Sequence, residues 1–140
     1  MAINTVLVDA GPLIALFDKN DSYHKKVRAF LKNGSYKFVS TVAIITEVSY
    51  MLTFNIRAQV DFFEWTYKKG IVLCDVTQSD FPRITELMVK YSDLPMDFAD
   101  ASLVIAAEKT GIRKIISVDS DFDVYRLPGK ELIENIFFGD

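Results

Sequence analysis

The sequence predicts an α/β fold, a three-layer α/β/α sandwich around a central parallel sheet of four to five strands. Short apolar runs rich in Val, Leu and Ile, such as residues 3–8 and 114–118, have the composition of buried strands. They alternate with longer stretches, such as residues 97–109, whose apolar residues recur at helical spacing. Strands that alternate with helices form a parallel sheet covered on both faces.

The predicted elements follow one another without a linker, a repeat or a low-complexity segment. Strands are expected over residues 3–8, 37–40, 71–74 and 114–118, and an edge strand over 132–136. Helices are expected over residues 12–17, 22–32, 41–54, 57–69, 77–91 and 97–109, and a short helical turn over 121–125. This continuous alternation predicts a single domain covering residues 1–140.

Capping and turn residues set the ends of the early helices. Pro12 fits the first position of a helix, because its missing N–H is not needed there. Asp21 or Ser22 is expected to cap the second helix, and Ser40 or Thr41 the third, since their side-chain oxygens accept backbone N–H groups. These signals place a helix soon after each of the first two strands.

The later elements have similar signals. Gly70 stops the fourth helix, and Pro82 must lie in the first turns of the next one. Asp97 suits the N-cap of the last long helix, which Gly111 closes. Asp121 is a candidate cap of the helical turn that follows the fourth strand.

Composition restricts the class of protein. Half of the 140 residues are apolar, but no apolar run approaches the roughly 20 residues that cross a bilayer. No basic segment precedes the first apolar run, so no signal peptide is expected. Cys74, the one cysteine, lies in an apolar strand and is expected to be a small buried hydrophobe. The sequence therefore predicts a cytoplasmic protein without a membrane segment.

Carboxylates recur where the predicted strands end and on apolar helix faces. Asp9 follows the first strand and Asp119 the fourth, and parallel strands direct their carboxyl ends to one edge of the sheet. Glu47 lies on the apolar face of the third helix, three residues after Ile44. Asp100 lies at the start of the apolar face of the last long helix. Because carboxylates are costly beside apolar surface unless their charge is compensated, these four predict one shared site.

Two further acids have a simpler explanation and are assigned as helpers. Asp97 and Asp121 both suit capping positions, where a carboxylate accepts backbone N–H groups. Ser117, two residues before Asp119, can hydrogen-bond a carboxylate or a ligand water. The candidate catalytic and metal-binding residues are therefore Asp9, Glu47, Asp100 and Asp119, with Asp97 and Asp121 beside them.

A site built from carboxylates favours a hard divalent cation. Mg²⁺ and Mn²⁺ prefer oxygen ligands. The chain has one histidine, His24, and one cysteine, Cys74, which argues against an ordinary zinc site and against a Ser-His-Asp triad. His24 follows a polar turn and precedes Lys25 and Lys26, so it is expected to be a solvated surface residue.

The net charge of −3 does not exclude a nucleic-acid substrate. It includes the six acids of the candidate site, so the rest of the chain carries +3. Cations that could contact phosphate are Lys19, Lys25, Lys26, Arg28, Lys68, Lys69, Arg113, Lys114 and Arg126. For any single one of them, a solvated surface charge is the simpler explanation.

Two other classes of α/β protein with clustered aspartates fit less well. Response-regulator receivers carry paired acids after the first strand, whereas Asp9 is followed by Ala10 and Gly11. Phosphatases of the haloacid-dehalogenase type place a second Asp two residues after the first, where this chain has Gly11. The residues after the first strand therefore argue against both classes.

The chain resembles the PIN-domain family, especially VapC-type toxin ribonucleases, over nearly its whole length. The resemblance is carried, in order, by residues 6–16, 46–48, 97–104 and 117–122. Ser117 stands where the family often has Thr, a change that keeps the hydroxyl. The family's acidic positions fall on Asp9, Glu47, Asp100 and Asp119.

The resemblance implies a PIN-like fold and a Mg²⁺- or Mn²⁺-dependent endoribonuclease. It implies an RNA substrate, a cognate antitoxin and a homodimer. In that picture Asp9, Asp100 and Asp119 hold metal, and Glu47 holds metal or orients the attacking water. The family also uses the segment matching residues 54–67 for partner contact, although core packing is the first explanation for its aromatic rings.

Three alternatives stay open within the same fold. A solitary PIN nuclease in RNA processing and a structure-specific DNA nuclease would share the acidic site. A catalytically silent PIN scaffold for protein or RNA binding would be expected to lack some of the acids, and none of the four is missing.

Overall fold

The computed structural model describes residues 3–94 and 96–138 and contains a five-stranded parallel sheet flanked by six helices. The strands are β1 (Asn4–Val8), β2 (Tyr36–Ser40), β3 (Ile71–Leu73), β4 (Lys114–Ile116) and β5 (Glu134–Asn135). The helices are α1 (Ala10–Phe17), α2 (His24–Lys32), α3 (Val42–Met51), α4 (Ile56–Tyr67), α5 (Phe81–Lys90) and α6 (Phe98–Thr110). The predicted α/β fold with a central parallel sheet is confirmed.

The middle of the sheet forms the centre of the core. Leu7 of β1 pairs with Val39 of β2 on one side and with Ile115 of β4 on the other. Leu7 and Ile115 are fully buried, as is the neighbouring Ile116. Strands buried on both faces need continuous apolar runs, which explains why these segments do not alternate with polar residues.

The strand order, β3-β2-β1-β4-β5, reverses beside β1. The chain moves outward from β1 to β2 and β3, then returns to the other side of β1 as β4. Such a reversal opens a crevice beyond the carboxyl ends of the two strands. The Asp9 N–H donates to the Ile116 carbonyl at 3.1 Å, which holds the ends of β1 and β4 together at this point.

The helices that border this crevice are closely packed. Helix α1 contacts α2, α3 and α4, whereas α5 contacts α6, and α3 also contacts α6. Seven consecutive residues of α6, from Ala101 to Ala107, are buried. The N-terminal turn of α6 therefore has a fixed position relative to α3 and the sheet. In the described part of the chain, no helix is long and apolar enough to span a membrane.

Most of the predicted helix ends are confirmed. The Thr41 hydroxyl accepts from the Ile44 N–H at 3.4 Å, and the Asp97 carboxylate accepts from the Asp100 N–H at 2.8 Å. Gly111 ends α6 with φ of +80°, a conformation that favours glycine. These caps fix the starts of α3 and α6, the two helices that supply Glu47 and Asp100.

Three local predictions were wrong. Neither Asp21 nor Ser22 caps α2, because Asp21 instead accepts from the Tyr23 N–H at 2.9 Å in the turn before the helix. His24 is not simply solvated, since its Nδ1 lies 2.6 Å from the Ala15 carbonyl oxygen and ties α2 to α1. Cys74 is only partly buried, because it follows the edge strand β3, in which Val72 and Leu73 are themselves exposed.

Other elements lie where they were expected but are shorter. Residues 77–91 divide into a 3₁₀ turn (Gln78–Asp80) and α5, and Pro82 is the second residue of that helix. Residues 132–136 contain the two-residue strand β5, which pairs in parallel with β4. The aromatic segment splits as expected, with Phe62 fully buried and Tyr67 exposed over 85% of its surface.

Candidate active site

Six carboxylates line a single cleft of about 310 Å³ at the reversal point of the sheet. This acidic cleft is lined by Asp9, Glu47, Asp97, Asp100, Asp119 and Asp121. Among the described residues, no Lys, Arg or His lines it. The structure thus brings together all six acids that the sequence pattern singled out, and no basic side chain there offsets their charge.

Asp9 is the deepest of the six and is held at both oxygens. It follows β1 and is only 5% exposed. Its Oδ1 accepts from the Ala10 N–H at 2.8 Å, and its Oδ2 accepts from the Ser117 hydroxyl at 2.9 Å. Burial raises the pKa of Asp9 to about 7, with added repulsion from Asp119 and Glu47, although its two hydrogen bonds act in the opposite direction.

Gly11 allows the two chain segments around Asp9 to come close. A Cβ on Gly11 would lie 2.3 Å from Val118 Cγ2, which is far too close for two carbon atoms. Val118 is β-branched and therefore has few alternative rotamers. A glycine at position 11 thus lets the start of α1 pack directly on the segment that carries Asp119.

Asp119 lies at the rim, in the loop after β4. It is exposed, and its Oδ1 accepts from the Asp121 N–H at 3.0 Å. Asp121 is itself the first residue of the helical turn, so the expectation that it caps the turn was wrong. Asp121 instead faces the acidic cleft, where burial and the charges of Asp119 and Asp97 raise its pKa.

Asn135 holds the Asp119 loop, and the sequence reasoning missed it. Its side-chain amide donates to the carbonyls of Ser117 and Asp119 at 3.1 and 3.2 Å. Its Oδ1 accepts from the N–H groups of Ser117 and Phe137, both at 3.2 Å. A polar residue in a predicted edge strand carries no pattern that distinguishes it from a solvated one, so only the fold reveals this role.

Asp100 is held by Tyr125, a second residue that the sequence reasoning missed. The Tyr125 hydroxyl donates to Asp100 Oδ2 at 2.8 Å. The Tyr125 ring is fully buried, and it packs edge-on against Tyr91 and Phe122 at centroid distances of 5.0 and 5.1 Å. Burial raises the pKa of Asp100 to about 7, and repulsion from Asp97, Asp9 and Asp119 adds to this, whereas the Tyr125 bond lowers it.

Glu47 and Asp97 complete the acidic cleft from α3 and the start of α6. Burial raises the pKa of the Glu47 carboxyl, and the charges of Asp97 and Asp119 raise it further. Asp97 caps α6 through one oxygen, as expected for a helper. Glu47 therefore shares the electrostatic environment of the deeper acids.

The donor set fits a hard divalent cation. Every charged ligand is a carboxylate, and each carboxylate oxygen can accept more than one bond, so the hydrogen-bonded oxygens of Asp9 and Asp100 remain able to bind a cation. Mutual repulsion and burial disfavour the ionised acids, and the attraction of a bound cation would offset the free-energy cost of both. Within residues 3–94 and 96–138, no three Asp, Glu, His or Cys side chains have the geometry of a preformed ion site.

A scan against protein-family models and a search of curated protein sequences find no match. Among solved structures, the chain is similar to the crystal structure of VapC20 from Mycobacterium tuberculosis, a sarcin-ricin loop cleaving toxin. The two chains are 19% identical, the similarity covers 86% of this chain and 92% of that one, and the TM-score is 0.74. The chain therefore has the PIN fold found in VapC20, as the sequence resemblance predicted.

Proposed function

We propose that this protein is a divalent-metal-dependent endoribonuclease that acts as the toxin of a type II toxin–antitoxin pair. The observation that carries the proposal is the acidic cleft, in which six carboxylates meet without a basic residue at the reversal point of a PIN fold. The toxin part of the proposal rests on the resemblance to VapC-type toxins and on the similarity to VapC20.

In the proposed site, Asp9, Asp100 and Asp119 would hold Mg²⁺ or Mn²⁺. When bound, such an ion supplies positive charge for a phosphodiester oxygen and lowers the pKa of water. Ser117 and Tyr125 each hold one oxygen of Asp9 and Asp100 in place. The acids would move closer together around a bound ion, because no three of the described side chains have the geometry of an ion site without it. Glu47, which lines the cleft from α3, would bind the ion or accept a hydrogen bond from the attacking water.

Cations for the RNA backbone lie outside the acidic cleft. A separate cleft of about 480 Å³ is lined by Arg83, Lys90, Arg126 and Lys130, with Glu86 among them. Arg126 of this basic cleft directly follows Tyr125, whose buried side chain donates to Asp100, so one side chain connects the two clefts. Arg83 is partly neutralised by Glu86 and Glu108, which leaves Lys90, Arg126 and Lys130 as the stronger candidates for phosphate contact.

Cleavage assays on metal-stripped protein test the enzymatic part. Short oligoribonucleotides, including one with the sarcin-ricin loop that VapC20 cleaves, would be incubated with EDTA, Mg²⁺ or Mn²⁺. We expect cleavage only with a divalent ion. Asp9→Asn is expected to lower the cleavage rate more than about 100-fold. A loss of up to about 100-fold is typical of residues that only orient a metal ligand, and loss of a ligand itself should exceed it.

Asp61→Asn is the matched control, because Asp61 is an exposed acid of α4 outside the acidic cleft. It should cleave as the unaltered protein does. Cleavage that persists in EDTA, or an Asp9→Asn protein that is folded and fully active, would contradict the proposed site.

Growth assays test the toxin role separately. Induced expression should arrest growth, Asp9→Asn should not, and co-expression of a cognate antitoxin, sought among small reading frames that neighbour the gene, should restore growth. An active ribonuclease that leaves growth unchanged would instead favour a solitary nuclease in RNA processing. The homodimer, the antitoxin and the cytoplasmic location stay predictions that gel filtration, co-purification and fractionation can check.

A further inference from the structure

Two phenylalanine rings form an exposed aromatic shelf near the acidic cleft. Phe81 begins α5 and Phe98 begins α6, and their rings stack with a centroid distance of 5.7 Å and an interplanar angle of 24°. They remain 48% and 41% exposed. Aromatic side chains that stay together at the surface are frequent in binding sites, which makes this aromatic shelf a candidate binding surface.

The aromatic shelf has a rigid base. Asp97 caps the first turn of α6 directly before Phe98. Asp80, directly before Phe81, accepts from the Thr77 N–H at 2.8 Å and from Lys109 Nζ at 2.6 Å, and Lys109 belongs to α6. Asp80 thus ties the start of α5 to the last turn of α6, and Asp97 fixes the first turn of α6, so the backbone that carries both rings is held in place before any ligand binds.

A groove continues from Phe98 along the carboxyl edge of the sheet. This side groove has a volume of about 280 Å³ and lies between the start of α3, the start of α6 and the segment after β3. Its walls include Val42, Thr46, Cys74 and Val76, and Asp75 is the charged residue among the described ones that line it. Its apolar walls and small volume suit one flat, uncharged group.

Helices α3 and α6 each contribute residues to both the side groove and the acidic cleft. Thr46 of the groove precedes Glu47 of the cleft on α3, and Phe98 lies between Asp97 and Asp100 at the start of α6. The groove lies beyond the ends of β2 and β3, whereas the cleft lies beyond β1 and β4. Two strand spacings, roughly 10 Å, therefore separate their centres. A strand whose phosphate sits in the cleft would bring a neighbouring nucleotide to the groove.

We propose that the aromatic shelf and the side groove bind one nucleobase of the RNA substrate, next to the phosphate held at the acidic cleft. This subsite rests on the proposed ribonuclease function and deepens it. Every nucleobase has a π-face that stacks on aromatic rings, and an uncharged base tolerates the nearby carboxylates that would repel a phosphate. The subsite would position the strand and bias the choice of cleavage site.

The test replaces each ring by an apolar side chain without a π-face. Phe98→Leu and Phe81→Leu are expected to raise KM for a cleaved oligoribonucleotide about 5- to 150-fold, the range for loss of one base stack. The value of kcat and the affinity for Mn²⁺ should change little, since the lost contact is the same in the ground and transition states. Phe63→Leu is the matched control, because Phe63 is 46% exposed on α4 and lines neither site.

A substrate change identifies the base. An abasic nucleotide is placed at each position around the cleavage site in turn. One position should raise KM as much as Phe98→Leu does, and combining the two changes should add little further loss, since each removes the same contact. Independent, additive losses at every position would overturn the subsite.

A binding assay separates this inference from the proposed function. Oligoribonucleotides with one 2-aminopurine are titrated in Ca²⁺, and quenching is expected at one position, reduced in F98L but not in F63L. Quenching that is equal in F98L and the unaltered protein, or KM values within about twofold for both shelf variants, would overturn the subsite.

Light scattering can show another role for the aromatic shelf. If the unaltered protein forms oligomers that F98L converts to smaller particles, with KM unchanged, the shelf is a protein interface and not a base subsite. Failure of the unaltered protein to cleave any RNA would overturn the proposed function, and the fluorescence assay would still decide the subsite.

Discussion

At the residue scale, Asp9 and Asp100 are ionisable groups held in places that disfavour their charge. Burial is the main cause at both, and it raises each pKa to about 7 from an ordinary value of 3.8. Ser117 and Tyr125 fix their oxygens but only partly oppose this rise. Such buried charges lower the stability of the metal-free protein, and they favour binding of a cation because the cation compensates them.

Metal-free stability should therefore fall as the pH rises. Between about pH 4 and pH 7 the folded protein binds more protons at Asp9 and Asp100 than the unfolded chain does, so its free energy of unfolding decreases with pH. In EDTA at pH 7.5, Asp9→Asn should raise stability by on the order of 1–3 kcal/mol. Urea unfolding at pH 5 and pH 7.5 measures this; a stability that increases over this range would contradict it.

Tyr125 should act through the metal affinity of Asp100. Tyr125→Phe removes the hydroxyl that fixes Asp100 Oδ2, so the Mn²⁺ concentration for half-maximal cleavage should rise about 10- to 100-fold. Excess Mn²⁺ should restore most of the activity. Tyr91→Phe is the control, because the Tyr91 hydroxyl accepts from the Arg126 N–H at 2.9 Å and touches no carboxylate of the acidic cleft. An identical Mn²⁺ dependence in both variants would show that the Tyr125 hydroxyl has no such role.

At the element scale, the short strand β5 matters more than its two residues suggest. It supplies Asn135, which bonds both Ser117 and Asp119 and so joins the loop after β4 to the edge of the sheet. The loop position of Asp119 therefore depends on a residue that follows it by 16 positions in the sequence. Periodicity could indicate an edge strand there but could not indicate its function.

Asn135→Ala should harm both stability and activity. It leaves buried N–H and carbonyl groups without partners, which costs about 1–3 kcal/mol, and it frees the loop that carries Asp119. Asn55→Ala, the same change at the N-cap of α4, should cost about 1 kcal/mol but leave the activity of the folded protein unchanged. Urea unfolding and cleavage rates at saturating Mn²⁺ distinguish the two. Equal activity in both variants would contradict the role of Asn135.

The elements themselves were predictable because their signals are local. The buried runs of β1 and β4, the cap at Thr41 and the glycine at Gly111 each depend on a few neighbouring residues. The start of α2 was not predictable, because Asp21 caps the preceding turn instead of the helix. The same kind of local contact occurs after β4, where Asp119 accepts from the Asp121 N–H and Asp121 is the first residue of the helical turn.

At the scale of the whole molecule, the topology accounts for the site. The order β3-β2-β1-β4-β5 places Asp9 and Asp119 beside each other although they are far apart in sequence. The rule that ligands bind at the carboxyl ends of parallel strands predicted this meeting. The contacts of Tyr125 and Asn135 were beyond reach, because a single sequence carries no signal for which distant polar groups meet.

The central claim is that the acidic cleft binds a divalent cation and thereby supports RNA cleavage. The most direct measurement is a Mn²⁺ titration of the metal-free protein by calorimetry, with Asp9→Asn and Asp61→Asn in parallel. The account predicts saturable binding to the unaltered protein and to Asp61→Asn, strongly weakened binding to Asp9→Asn, and cleavage that follows the bound fraction. Binding that Asp9→Asn leaves intact, or cleavage without bound metal, would contradict it.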